Sequence, residues 1–501
     1  MKNYTPFWAF ALLFFLLVSC SDDNGVIEVP PTTNTPTVPT NENAGINNFI
    51  WGSMNDLYLW QSDVPVLADD RFTSDEFSQY LQASPEPENF FYSLLYDREN
   101  VDFFSFFIED YVERENSNQG ISLSNGVDFG LIRYGSEDDV LGYVRLILPN
   151  SDADGKNIKR GDVFTEVDGQ QLTIENYRSL LYSENTSYTL AISELIGNTI
   201  TPTGESVELT KTIYTEPSVN KMSIIEDGGK RIGYLHYTQF SSQEKELNAA
   251  FLELKNQGIT DLVLDLRYNP GGFGVVSNSL ASMITGQFKD EVITKTIWND
   301  KYQPYWEAEN PDFLVDVFSD RTSGAWSDEE SINSLNLSSV HVIGLSGTAS
   351  ASESLIVGLQ PYIDVTLVGE VTYGKYTGSY TLYDSPGLFS SENANPDHKY
   401  AIQPIVTKFS NKLGVTPQGG IQPNIMITED IGNMGVIGNS NEPMLRAAIN
   451  DIIGISAKQT DSKIFKYEKI TDYRLEKKFA TALINTKPQI GEAMKKMKSK
   501  N

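Results

Sequence analysis

The chain has 501 residues, 40% of them hydrophobic and 11% aromatic, a composition ordinary for a globular protein of two to four domains. Its formal net charge of −29 at pH 7 repels nucleic acid and anionic membrane surfaces, which argues against binding to DNA or RNA. The chain contains one cysteine, Cys20, and therefore has neither an internal disulfide nor a cysteine-based metal site.

The first segment has a lysine near its start and an apolar run from Phe7 to Val18, followed by Ser19 and Cys20. The run is too short to span a bilayer comfortably. Residues 1–20 resemble a bacterial lipoprotein signal, which implies a lipid on Cys20, membrane attachment through it and a cell-envelope location, with an outer-membrane lipoprotein favoured. A plain secretory signal with a chance cysteine is the alternative. Residues 21–45, rich in Pro, Thr and Asn, predict a disordered tether.

Residues 46–117 predict a small helical domain. The spacing of Ile50, Met54, Leu57 and Trp60 is that of one helical face, and further aromatic-rich segments follow. We interpret this aromatic stripe as core rather than as a ligand-binding surface.

Residues 118–215 predict a β-rich domain, with strands in GVDFGLIRY and LGYVRLIL. With a Gly161-Asp162 turn and a Val-Asp-Gly hairpin, they resemble a PDZ domain, which captures a peptide C-terminus by strand addition. Asp128 departs from the pattern, since a carboxylate there tends to repel that of the ligand. The resemblance implies a peptide-binding turn and strand formed by Gly126, Phe129, Gly130 and Leu131.

Residues 216–455 alternate strands with helices, which predicts an α/β domain around a covered sheet. The insert from about Gly286 to Leu337 carries no motif and could form a lid or substrate wall. Residues 456–501 are basic, with 12 Lys and Arg against 5 Asp and Glu. A solvated helical extension is favoured there over docking on the acidic body or on lipid head groups.

Three segments of the α/β domain suggest catalytic chemistry. A buried strand in LVLDLRYNPGG runs into a turn whose paired glycines leave backbone N–H groups open to approach. The segment LSGTASASESLIVGL places Ser350 or Ser352 at a helix N-terminus, where a developing anion is stabilised. A third strand in VGEVTYGKYTG ends shortly before Lys375.

A serine nucleophile needs a base. None of the three histidines, His236, His341 and His398, follows a strand in a loop of catalytic type. Lys375 can serve if burial lowers its pKa, because desolvation disfavours the charged amine. An exposed Lys375 that pairs with Glu370 is the alternative.

The segments DLRYNPGG, GTASASE and VTLVGEVTYGK, in this order, resemble the tail-specific, or C-terminal processing, serine peptidases over about residues 46–430. The resemblance implies an α/β fold with a ClpP/crotonase-like peptidase core, a PDZ-like domain and a small N-terminal helical domain. It implies Ser350 as nucleophile, Lys375 as general base and no metal or organic cofactor. The implied oxyanion hole consists of backbone N–H groups of Ala351 and of Gly271 or Gly272.

Other positions that match the family are Asp265, Arg267 and Glu353, which support the site there. A structural ion-pair network explains them equally well. Members of the family commonly carry a glutamine four residues after the lysine, where this chain has Ser379. Ser379 is therefore a candidate for orienting the amine, with a shorter reach.

The leading hypothesis is a lipid-anchored serine endopeptidase that cleaves unfolded or C-terminally exposed polypeptides. One alternative is a peptide-binding or scaffolding protein whose peptidase core is weakened. Another is a hydrolase of non-peptide esters or amides. The sequence leaves the oligomeric state, the natural substrate and any gating by the PDZ-like domain undetermined.

Overall fold

The computed structural model describes residues 41–134, 138–183, 185–197, 199–455 and 468–470, together with the backbone of 483–484. The predicted signal with Cys20, the tether as far as residue 40 and most of the basic extension lie outside the described residues. Within the described part, no helix combines the length and apolar character needed to cross a membrane.

The N-terminal region consists of short helices around an aromatic core. The first helix begins at Ala44, two residues before the predicted start, and the predicted stripe is buried. This core also includes Trp298 and Trp306 from the α/β domain. The elements are α1 (Ala44–Leu57), α2 (Ser74–Ala83), α3 (Pro87–Ser93), β1 (Phe106–Ile108) and α4 (Tyr111–Asn118).

The next region is β-rich and has a hydrophobic core of its own. Its elements are β2 (Ile121–Ser124), β3 (Val127–Arg133), β4 (Val140–Ile147), β5 (Val163–Val167), β6 (Gln170–Gln171), α5 (Tyr177–Leu181), β7 (Ser187–Ile196), β8 (Thr199–Thr210) and β9 (Thr212–Thr215). The main sheet has the order β3-β4-β5-β7-β8. Val127, Phe129 and Leu131 of β3 point their side chains into this core, as alternation along a strand requires.

The α/β region is built on a sheet covered by helices. Its first elements are β10 (Val219–Asp227), β11 (Lys230–Tyr237), α6 (Glu244–Asn256), β12 (Asp261–Asp265), α7 (Gly274–Thr285), β13 (Val292–Ile297), α8 (Gln303–Glu309) and β14 (Val315–Val317). They are followed by β15 (Ser339–Gly344), α9 (Ala351–Leu359), β16 (Asp364–Gly369), β17 (Thr377–Ser379), β18 (Leu382–Tyr383), β19 (Ala401–Gln403), β20 (Ile405–Asn411), β21 (Ile425–Met426) and α10 (Pro443–Ile452).

The main sheet of this region has the order β10-β11-β12-β15-β16-β21, and the strands from β11 onward run parallel. The carboxyl ends of β12, β15 and β16 therefore meet at one edge of the sheet. The loops that carry the three candidate catalytic segments begin there, which is where α/β folds commonly place their sites.

The insert of residues 286–337 supplies β13, α8 and β14, and thus builds a sheet rather than a free lid. Two short strands of the basic extension are described, β22 (Glu468–Lys469) and β23 (Leu483–Ile484). The predicted helix is therefore wrong for these residues. The second sheet has the order β14-β13-β20-β17-β23, and β22 adds to β3.

Candidate active site

Ser350 immediately precedes α9 in a strained backbone conformation. Its φ of 59° and ψ of −112° lie outside the regions that residues other than glycine usually adopt, and such strain clusters at functional sites. The side chain is fully buried at the positive end of the helix dipole. Among the described residues, its Oγ has no side-chain partner, and the backbone N–H of Glu353 is directed toward it in a capping box. A buried hydroxyl without a side-chain partner is available for chemistry.

The Gly271-Gly272 turn lies against the serine. A Cβ added at Gly271 would lie 2.8 Å from Ser350 Cβ and 2.9 Å from Ala351 N, and φ at Gly271 is +103°. The N–H of Gly271 donates to Asn269 Oδ1 at 2.9 Å, so it is already used. The N–H groups of Gly272 and Ala351 have no acceptor within the described part of the chain. Of the two predicted glycines, Gly272 is thus the better oxyanion donor.

Glu353 joins the serine loop to the lysine loop. Its Oε2 accepts the backbone N–H groups of Ser350 and Lys375, each at 2.9 Å. Its Oε1 accepts the Thr372 hydroxyl at 2.5 Å and the Gly374 N–H at 2.6 Å. Burial raises the pKa of Glu353 to about 7, although these four donors oppose the rise. The predicted supporting residue therefore holds both loops in place.

Lys375 is fully buried, contrary to the exposed alternative, and Glu370 pairs with Lys469 instead. Desolvation lowers the pKa of Lys375 to about 7. Asp102 and Glu353 act in the opposite direction, because nearby negative charge favours the protonated amine. A lysine in this setting is largely neutral just above pH 7, as a general base must be.

The N-terminal region closes the lysine pocket. Lys375 Nζ lies 4.4 Å from the centre of the Phe104 ring. Asp102 accepts the Tyr58 hydroxyl at 2.6 Å and the Ser105 hydroxyl at 2.6 Å, and burial raises its pKa. Sequence reasoning did not identify these residues, although the acidic residue inside the aromatic segment VDFFSFF was an available signal.

Ser379 lies on β17 and is fully buried. Its Oγ accepts the Nε2 amide of Gln403 at 2.8 Å. A glutamine from β19 thus approaches Ser379, the position at which the family resemblance predicts a glutamine. Gln403 is a positioning candidate that sequence reasoning missed, because it lies 24 residues further along the chain than Ser379.

Asp265 and Arg267 form a buried ion-pair network. Arg267 bonds Asp265 at 2.7 Å and Glu442 at 2.7 Å, and Tyr234 donates to Asp265 at 2.6 Å. Neither Asp265 nor Arg267 has a hydrogen bond to Ser350 or Lys375 in the described structure. The geometry therefore supports a structural ion-pair network for Asp265 and Arg267 rather than a direct role at the active site.

The predicted peptide-binding strand lies on β3. Asp128, which seemed to oppose a carboxylate ligand, is largely buried and bonds Arg145 at 2.6 Å. Its charge is therefore offset locally. Phe129 packs edge-on against Phe164 at 5.6 Å. A Cβ at Gly130 would collide with Cζ of the Tyr143 ring, so a larger residue there would require that ring to move.

The histidines have other partners. His341 bonds Asp451 at 2.9 Å, His398 bonds Asp384 at 3.1 Å, and His236 bonds Asn220 at 2.9 Å. Among the described residues there is no cluster of three or more His, Cys, Asp or Glu that could hold a metal ion.

Comparison with known proteins agrees with the fold. The profile of peptidase family S41 matches residues 231–427 and that of the peptidase S41 N-terminal domain matches 45–106, together just over half of the chain. A carboxyl-terminal-processing protease from Picosynechococcus sp. is 27% identical over 332 residues, 64% of this chain and 68% of the relative. The chloroplastic C-terminal processing peptidase of Tetradesmus obliquus is 26% identical over 324 residues, 62% and 63% of the two chains.

A crystal structure from Bacteroides fragilis NCTC 9343, described as an S41 protease, superposes with a TM-score of 0.62 at 23% identity. It covers 82% of this chain and 98% of the other. The predicted α/β fold class with an N-terminal helical region is confirmed. The protein is a serine-type peptidase, a hydrolase of peptide bonds. It belongs to peptidase family S41.

Proposed function

We propose that the protein is a Ser/Lys endopeptidase, held in the cell envelope by a lipid on Cys20, that cleaves unfolded or C-terminally exposed polypeptides. The main observation in support is that one carboxylate, that of Glu353, accepts the backbone N–H groups of both Ser350 and the fully buried Lys375. The related carboxyl-terminal-processing protease supports C-terminal processing as the activity.

In this mechanism, neutral Lys375 takes the proton of Ser350, and Ser350 Oγ attacks the peptide carbonyl. The N–H groups of Ala351 and Gly272 stabilise the oxyanion, where loss of one donor typically costs about 3 kcal/mol. Protonated Lys375 then donates to the leaving amine, and water hydrolyses the acyl-enzyme. The proton transfer requires Lys375 Nζ within hydrogen-bond reach of Ser350 Oγ in the substrate complex.

The β-rich region is proposed as a PDZ-like domain that presents the substrate. The edge of β3 that faces away from β4, where β22 lies in this structure, would take an extended peptide in place of β22. The turn at Gly126, with φ of +87°, would approach the carboxylate of that peptide. The pairing of Asp128 with Arg145 removes the objection that its charge would repel that carboxylate.

The test is cleavage of casein by Ser350→Ala, Lys375→Ala and the control Ser352→Ala. The hydroxyl of Ser352 donates to Asn269 O at 3.2 Å, which is a structural role. We expect the first two variants to lose detectable cleavage and Ser352→Ala to retain most of it. Cleavage by Ser350→Ala equal to that by the unaltered chain would reject the proposal.

A second candidate is a peptide-binding protein with a weakened peptidase core, since Ser379 rather than a glutamine stands four residues after Lys375. A chain that binds peptides but is never labelled by a serine-reactive probe would support it. The anchor is tested separately by metabolic labelling with a radioactive fatty acid, which Cys20→Ala should abolish.

A further inference from the structure

The described parts of the C-terminal extension occupy two sheet edges. Strand β22 pairs antiparallel with β3, with Glu468 opposite Arg133 and Lys469 opposite Ile132. The N–H of Ile470 then donates to Leu131 O at 3.1 Å. The Ile470 side chain packs against the core of the PDZ-like domain.

This edge is the one proposed to bind substrate. Strand β4 covers the other edge of β3, so an added peptide has no alternative edge on this strand. Strand β22 runs antiparallel to β3, so the chain passes along β3 from Arg133 toward the end of the strand that follows Gly126. Because an edge offers one row of N–H and C=O groups, β22 and a substrate strand cannot pair there together.

Lys469 connects this position to the candidate active site. Its Nζ donates to Ser346 Oγ at 3.1 Å and to Glu370 Oε2 at 2.9 Å. These acceptors lie in the loops after β15 and β16, the same loops that carry Ser350 and Lys375. The extension therefore contacts both loops of the site.

The second occupied edge is next to the proposed base. Strand β23 pairs in parallel with β17, with Leu483 opposite Gly378 and Ile484 opposite Ser379. Strand β17 begins two residues after Lys375, and β20 covers its other edge. While β23 pairs with this edge of β17, no other peptide strand can pair there.

Charge favours the same arrangement, since the extension is basic and the rest of the chain carries the acidic excess. We propose that residues 468–470 and 483–484 of the C-terminal extension act as an intramolecular competitor. They occupy the proposed peptide-binding edge of β3 and the edge of β17 beside Lys375, and must leave before a substrate binds. This inference rests on the function proposed above for β3 and the site. A tethered segment is present at an effective concentration of roughly 1 mM. A segment with a Kd of roughly 100 μM would then weaken binding of an outside peptide about ten-fold.

The test uses full-length chains that carry Ser350→Ala, so that nothing is cleaved. Ile470→Pro removes the N–H that donates to Leu131, and Lys469→Glu reverses the charge facing Glu370. The control is Lys289→Glu, which makes the same change of charge at a surface ion pair elsewhere. Lys289 pairs with Asp320 at 2.8 Å, close to the 2.9 Å between Lys469 and Glu370. The probe is a fluorescein-labelled synthetic peptide with the sequence of residues 464–486, and fluorescence anisotropy gives its Kd.

We expect Ile470→Pro and Lys469→Glu each to tighten probe binding, by up to about ten-fold, and Lys289→Glu to leave it unchanged. Equal Kd values for all chains, or no binding by any, would overturn the inference. Cleavage of casein in chains that keep Ser350 separates the two proposals. If the chains are active and Ile470→Pro cleaves casein at the same rate as the unaltered chain, only the competitor is rejected. If the chains are inactive but Ile470→Pro tightens probe binding, only the proposed Ser/Lys endopeptidase function is rejected.

Discussion

Replacing Lys375 by methionine tests the charge state on which the proposed mechanism depends. The substitution keeps the length and much of the volume of the side chain and removes its titration. Lys375 is fully buried, and desolvation lowers its pKa to about 7. In the unfolded chain the same amine has a pKa of about 10.4.

The sign of the effect on stability follows from proton binding. Between pH 7 and pH 10.4 the unfolded state holds a proton on Lys375 that the folded state largely lacks, so the free energy of unfolding rises with pH. The limiting slope is about 1.4 kcal/mol per pH unit. From pH 7 to pH 9 the chain with Lys375 gains about 2 kcal/mol that the Lys375→Met chain does not.

Titration of Glu353, another ionisable group with a shifted pKa at the site, has little effect on the stability difference between pH 7 and pH 9. The pKa of Glu353 is raised to about 7, so its contribution is present at low pH and is lost as the pH rises through 7. Above pH 7 that contribution is largely constant. The difference measured between pH 7 and pH 9 therefore reports mainly on Lys375.

The measurement is urea unfolding of Ser350→Ala and of Ser350→Ala/Lys375→Met at pH 7 and at pH 9. The matched control is Lys289→Met, an exposed lysine whose pKa is raised by Asp320 and which does not titrate in this window. A stability difference for Lys375→Met that does not change between pH 7 and pH 9 would refute the buried neutral amine. In the active chain, kcat/KM should rise with a midpoint near pH 7, and a midpoint near pH 10 would refute the lysine base.

Three further outcomes follow from the contacts of the site. Glu353→Gln removes a charge that raises the pKa of Lys375, so the rising limb of kcat/KM should move to lower pH, with a loss of about 100-fold from misplaced loops. Gln403→Leu leaves the buried Ser379 hydroxyl without its donor and should lower the free energy of unfolding by about 1–3 kcal/mol in urea titrations. Gly271→Ala places a Cβ 2.8 Å from Ser350 Cβ at a positive φ, so steady-state kinetics should show kcat falling by about 100-fold with a smaller change in KM. An unchanged pH profile, free energy of unfolding or kcat, respectively, would show that the contact changed by that substitution does not have the role assigned to it.

Much of the framework could be predicted from local pattern. The spacing of Ile50, Met54 and Leu57 predicted a buried helical face, and the strands of GVDFGLIRY and LGYVRLIL appear as predicted. The three segments that converge on the site were also visible, because parallel strands bring their carboxyl ends together and each segment follows such a strand.

Strand and helix periodicity and turn residues act over short distances, so the sequence determined the fold class and limited the candidates to Ser350 or Ser352 as nucleophile and Lys375 as base. The choice of Ser350 came from the resemblance to the C-terminal processing peptidases. Only the tertiary structure decided which donor remains open at the glycine turn, that Gln403 reaches Ser379, and that Phe104 closes the lysine pocket. It also decided that residues 468–469 and 483–484 of the basic extension pair as strands, because an open sheet edge outweighs local helical preference. Burial of Lys375, and with it the lowered pKa, is created by residues distant in sequence, and no local pattern contains it.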